Sequence, residues 1–144
     1  IMAGEGLFWV PHPEGVWVPG TLISGTTYET DFGDITVRAH ERGQEITDPD
    51  ELRGVADCCS LANVSAASIL HTVRARYARG EIYTNVSNIL IATNPFKALS
   101  IYSQEHIELY RACEDASSRP PHIFGMCAQA FNGLMETNDL STAA

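Results

Sequence analysis

Asn94-Pro95, where an apolar run stops, and Tyr102 beyond it are residue types that can meet a small molecule or simply serve the fold. A carboxamide donates and accepts hydrogen bonds, and a tyrosine presents a flat ring with a hydroxyl at its tip. The loop closes the run "GEIYTNVSNILIATNPFK" at 80–97, whose apolar centre Ile89, Leu90, Ile91 and Ala92 stops abruptly at Asn94-Pro95. By residue type alone, an amide backed by proline is a strand-ending turn more often than an edge that holds a ligand, and Tyr102 reads as a core aromatic.

Other chemistry is sparse. Lys97 is the single lysine, with Phe96 before it and Ala98 after it. A phosphate loop needs glycine before its lysine and Ser or Thr after it, so that backbone donors cradle the phosphates. The nucleophile elbow, the paired-histidine zinc motif and the dinucleotide glycine fingerprint are likewise missing from these residues. Glu105, Glu108, Glu114 and Asp115 read as a solvated helix face rather than an acid/base pair. Cys58, Cys59, Cys113 and Cys127 form no C-x-x-C pair and read as free, buried thiols. A metal on Cys58, Cys59 and His71 is disfavoured because adjacent cysteines seldom share a tetrahedral site.

The chain has 144 residues, 44% hydrophobic and 19% charged, which suits a folded protein of one ordinary domain or two small ones. A net charge of −9 opposes binding to phosphate backbones, so nucleic acid is not an expected partner. No apolar run reaches the roughly 20 residues of a spanning helix, so membrane insertion is not expected and the reading is a soluble, cytoplasmic protein. Ile1 before Met2 and the closing "LSTAA" suggest a fragment.

These residues need elements to position them, and the fold class expected is α+β. Residues 7–47 carry short alternating strands broken by Gly, Pro and Asp, the pattern of a small antiparallel β-barrel. Residues 48–60, acidic and proline-bearing, read as a linker. A helical period begins near Ser65, capped by Ser65 or Asn63, with Ile69, Val73 and Tyr77 inward. Arg74, Arg76 and Arg79 then complement its carbonyl end, and Gly80 stops it. Residues 82–86 and 89–93 form a hairpin about Ser87-Asn88, and the second strand, apolar on both faces, is expected inside a sheet. Ser103 caps a short helix with Ile107 and Tyr110 inward. Pro121 suits a first helical position, and the last helix, 122–135, gathers Phe124, Cys127, Ala128, Phe131, Leu134 and Met135 on one face.

From 61 to 135 the chain closely resembles the start of the myosin motor head, through "SILHTVRARYARGEIYTNVSNILIATNPFK", "IYSQEHIELYR" and "PPHIFGMCAQAFNGLM" in the family's order. "LFWVPHPEGVWVPGTLIS" resembles the small SH3-like β-barrel in front of many such heads. The resemblance implies 1–47 as that barrel, 48–60 as linker, and 61–144 as the start of a P-loop NTPase-type motor domain, truncated before the phosphate loop. It also implies that Asn94, Pro95, Phe96 and Lys97 form the purine loop, with Tyr102 the adenine-contacting tyrosine. Ala98 and Ser100 depart from the residues frequent at those places. The complete head would use ATP and Mg2+ and pull on actin filaments in the cytoskeleton, whereas this chain alone is expected to be inactive and to bind neither tightly. Its partner would be the remainder of the motor domain. The alternative is an independent, non-catalytic protein-binding module built around the barrel.

Overall fold

The computed structural model describes residues 6–111 and 118–142 and shows a mixed α+β fold. Cys113, Glu114 and Asp115 lie outside the described residues. Five strands, β1 (Leu7–His12), β2 (Val16–Ser24), β3 (Thr27–Thr30), β4 (Gly33–Thr36) and β5 (Gln44–Ile46), form one antiparallel sheet in the order β4-β3-β2-β1-β5. The β1–β2 register sets Val10 opposite Val18, and strand alternation directs both to one face. There they join Tyr28 and Val37 in a buried cluster, with Phe8, Leu22 and Ile35 against it. The Tyr28 hydroxyl accepts a bond from Gly43 N at 3.2 Å, tying β3 to the approach to β5.

Alternation sends Trp9 to the opposite face of β1, where it is fully buried. Its indole Nε1 donates to Glu51 Oε2 at 2.8 Å, and its ring lies 5.0 Å from that of His71. Glu51 belongs to α1 (Asp50–Arg53), so residues 48–60 carry a one-turn helix packed on α2 (Ala66–Ala78). Gly54, at φ +77, ends α1, and a Cβ there would meet Ala75 Cβ at 2.9 Å and Thr72 O at 3.2 Å. Only glycine combines that backbone with so close an approach.

Ser65 caps α2 in a reciprocal box: its hydroxyl accepts from Ser68 N at 3.1 Å while Ser68 Oγ accepts from Ser65 N at 2.9 Å. Gly80 follows the helix at φ +80, a conformation that suits its role as the stop. The buried stripe differs from the apolar one expected. Ala67, Ser68, Thr72 and Arg76 are buried, whereas Ile69 and Val73 are half-buried and Tyr77 is exposed. Ser68 and Arg76 face inward because hydrogen bonds await them there, whereas the buried Thr72 hydroxyl has no hydrogen-bond partner among the described residues. Ser68 Oγ donates to Asn63 O at 2.9 Å, and Arg76 Nε donates to Tyr83 O at 3.0 Å. Nor do the three arginines simply line the helix end. Arg74 donates to Gly15 O and Trp17 O at 2.6 and 3.2 Å, and Arg79 donates to Arg53 O and Gly54 O at 2.8 and 3.1 Å.

The hairpin forms from β6 (Tyr83–Val86) and β7 (Ile89–Ala92), turning through Ser87 at φ +56. Among the described residues β7 pairs with β6 alone, so it is an edge and not an interior strand. Ile89 is 62% exposed in consequence. α3 (Gln104–Arg111) buries Tyr110 but leaves Ile107 at the surface. α4 (Ile123–Thr142) begins after Pro121, which therefore precedes the helix. His122 takes the capping place instead, its Nδ1 accepting from Phe124 N at 3.1 Å. Phe124 and Ala128 are half-buried, while Cys127, Phe131, Leu134 and Met135 stay exposed. Too few elements pack over α4 to cover the face its sequence presents. No helix among the described residues is long and apolar enough to cross a membrane.

Candidate functional site

The loop after β7 is shaped by its own amide. Thr93 N continues the ladder with a bond to Ile82 O at 2.9 Å, and Asn94 Oδ1 then accepts from Phe96 N at 2.9 Å. This is an Asx turn, which holds Phe96 at φ +50 and leaves its ring 88% exposed. The turn engages one lone pair of the Asn94 amide oxygen, and the side chain is exposed. Tyr77 of α2 donates from its hydroxyl to Asn94 O at 3.4 Å, so the loop is tied to the helix through its backbone. Pro95 is half-buried, and Lys97 is exposed with no ion pair among the described residues.

Tyr102 stands on different supports. Its hydroxyl meets that of Tyr83 at 2.9 Å, and its ring packs beside His122 at 5.6 Å and Phe124 at 6.1 Å. Despite these contacts Tyr102 is 49% exposed. Tyr83 is buried behind it, and burial together with the hydrogen bond to Tyr102 pushes its phenol up to about 12, so the Tyr83 hydroxyl remains protonated at neutral pH. Tyr83 is itself fixed by the bond from Arg76 Nε to its carbonyl. Arg76 also pairs with Glu81 at 3.2 Å, and burial pulls its guanidinium down from the ordinary value against the opposing pull of Glu81.

His122 closes the cluster from the start of α4. It is buried, its ring lies 5.1 Å from Tyr83 and stacks on Tyr110 at 5.2 Å, and His106 lies 6.2 Å away. Burial pushes its pKa down, partly offset by the nearby Ile101 backbone, and His106 pushes the same way as burial. Because Nδ1 accepts a backbone bond, the neutral ring carries its proton on Nε2, which is buried without a hydrogen-bond partner.

Asn94 is thus shaped by its own turn with one long bond from α2, and Tyr102 is held by the β6–α4 cluster. Neither of two nearby cavities includes them. One, of about 540 Å3, is an apolar groove between α3 and α4 lined by Ile107, Tyr110, Phe124 and Phe131 among others. The second, of about 260 Å3, is bounded by Arg76, Tyr83, His106 and His122 among others. Among the described residues no three His, Cys, Asp or Glu side chains gather to hold a metal. Cys58 is buried and Cys59 exposed, and burial pushes the Cys58 thiol up. Sequence reasoning missed Tyr77, Tyr83, Arg76 and His122. Its available signal was the polar content of α2 and the histidine placed directly before an apolar helix.

The pattern of the family described as Myosin head (motor domain) matches residues 55–142. The Myosin-H heavy chain of Dictyostelium discoideum is 34% identical over 142 residues, covering 92% of this chain and 8% of its own length. Unconventional myosin-VI of Homo sapiens is 32% identical over 139 residues, covering 88% of this chain and 10% of its own. The high molecular weight form of myosin-1 of Acanthamoeba castellanii is 27% identical over 140 residues, 89% of this chain and 8% of its own. This chain therefore spans about a tenth or less of the length of these relatives. With the hairpin, the Asx loop and α3–α4 all inside the matched region, the chain belongs to the myosin head (motor domain) family as part of a motor domain.

Proposed function

We propose that this chain supplies the base-binding edge of an ATP-driven, actin-binding cytoskeletal motor, with Asn94, Pro95, Phe96, Lys97 and Tyr102 as the purine-facing residues. The observation that carries this reading is Tyr102, half exposed yet clamped through its hydroxyl and ring. A surface tyrosine fixed in this way is preorganised for a flat ligand, which then binds without paying to order it. The exposed Asn94 amide can donate to a ring-nitrogen acceptor.

The residues fit the base of ATP and not its phosphates or Mg2+, for which this chain offers neither a glycine-rich lysine loop nor a carboxylate cluster among the described residues. Triphosphate and metal contacts, actin binding and the P-loop NTPase-type sheet belong in this reading to the remainder of the motor domain. The division into 1–47, 48–60 and 61–144 accompanies it, with the five-stranded sheet as the SH3-like barrel and the working place in the cytoplasmic cytoskeleton. An independent binding module is disfavoured by the exposed β7 edge and the uncovered face of α4, both of which suit a larger assembly.

The test is nucleotide binding by a complete head carrying this chain. Asn94→Ala and Tyr102→Ala are each expected to weaken ATP by about 1–2 kcal/mol while turnover at saturating ATP stays near that of the parent. Loss of hydrolysis at saturation by either variant would remove that residue from the assignment.

A further inference from the structure

The contacts around Tyr102 raise a separate question: what keeps a half-exposed ring in one place? We propose that Tyr83, which does not face the ligand, is a positioning residue for base binding, because its hydroxyl tethers the Tyr102 ring in the pose that meets the purine. This rests on the reading of Tyr102 as a base contact.

An exposed tyrosine ordinarily moves among staggered χ1 wells, and each move swings the hydroxyl several ångströms. The 2.9 Å bond between the two hydroxyls holds only one such placement. Rotation of the ring about its own axis leaves the hydroxyl oxygen in place, so the tether selects where the ring sits while His122 and Phe124 limit how it turns.

The tether is useful only if its far end is rigid, and three contacts make it so. Tyr83 is 8% exposed, its ring packs edge-on against His122, and its backbone carbonyl accepts from the buried Arg76 guanidinium at 3.0 Å. Arg76 is in turn held by Glu81, which also pairs with Arg79 at 3.1 Å. α2 therefore touches both halves of the loop region: Asn94 through Tyr77, and Tyr102 through Arg76 and Tyr83. Affinity for a base-bearing nucleotide, rather than for triphosphate alone, should register any loosening.

Removing the Tyr83 hydroxyl costs the ligand the ordering of one side chain, worth about a three- to tenfold change. In a complete head carrying this chain, the ratio of Kd for inorganic tripolyphosphate to Kd for ATP is measured for the parent, Tyr83→Phe, Tyr102→Phe, the double Phe variant and Tyr102→Ala. Tyr83→Phe is expected to lower the ratio by about three- to tenfold, with kcat at saturating ATP and the affinity for inorganic tripolyphosphate unchanged. Tyr102→Phe should match it, and the double variant should be no worse than either, because one bond is being removed from two ends.

A second measurement uses the chain itself. Hα–Hβ couplings of Tyr102 should report a single χ1 rotamer in the parent and averaging in Tyr83→Phe. If Tyr102→Ala lowers the ratio and Tyr83→Phe does not, the inference is overturned while the base contact stands. If Tyr102→Ala leaves the ratio unchanged, both fall. Unaveraged couplings in Tyr83→Phe, or loss of tripolyphosphate affinity in that variant, would also overturn it.

Discussion

Trp9 and Glu51 join the N-terminal sheet to the helical part, and a double-mutant cycle on this pair tests how that junction is held. Both side chains are fully buried, the indole donates to Oε2 at 2.8 Å, and Oε1 is buried with no partner. Trp9→Phe keeps an aromatic ring against His71 but removes the donor, leaving a buried acceptor unmet at about 1–3 kcal/mol. The smaller ring adds about 1–2 kcal/mol of lost packing, for a total of about 2–5 kcal/mol. Glu51→Leu strands the indole N–H at a similar 1–3 kcal/mol or so, but also removes the oxygen that already lacks a partner, so its net cost is about 0–2 kcal/mol. In the double variant neither polar group remains to be stranded. Its cost should approach the packing loss alone, about 1–2 kcal/mol, at least about 1 kcal/mol less than the sum of the single variants. Urea unfolding of dilute chain, followed by far-ultraviolet circular dichroism, gives all four values from the midpoints and slopes. Additivity within about 0.3 kcal/mol would refute the reasoning, because it would mean that the indole and the carboxyl group do not depend on one another.

His122 predicts a pH dependence. Its Nδ1 caps α4 only when unprotonated, and burial among Tyr83, Tyr102, His106, Tyr110 and Phe124 lowers its pKa, so its stabilisation is fully present above the ordinary histidine value near 6.5 and is lost as pH falls below it. The urea midpoint should therefore decline from pH 7 to pH 5, and His122→Asn, whose amide oxygen can cap without titrating, should flatten that decline; equal slopes in the two proteins would count against the cap. The exposed β7 edge predicts association: light scattering should rise with concentration for the parent chain and fall for Ile89→Lys, which places a charge on the open strand. Scattering unchanged by that substitution would locate the sticky surface elsewhere, with Phe131 and Leu134 of α4 as the next positions to charge.

The elements of this protein were largely legible in its residues, because their signals are local. Ser65 and Gly80 bracket α2, Ser87-Asn88 turns the hairpin, and alternating short strands announce the N-terminal sheet, each through backbone preferences acting within a few residues. Which face of each element would be buried was another matter. Apolar periodicity pointed α2 inward through Ile69, Val73 and Tyr77, but Ser68 and Arg76 went inside because the Asn63 carbonyl, Tyr83 O and Glu81 were there to receive them. Conversely, Leu134, Phe131 and Ile89 look like core and remain at the surface, since burial requires an opposing element as well as an apolar side chain. The candidate site divides in the same way. Asn94-Pro95 and Tyr102 could be named from their chemistry and from a family resemblance, and the Asx turn at Asn94 is a local event. The supports that make Tyr102 a fixed ring, Tyr83 from 19 residues before it and His122 from 20 residues after it, come together only when β6 and α4 pack. Hydrogen bonds between distant positions leave no periodic trace along the chain, so that part of the site was decided by tertiary structure alone.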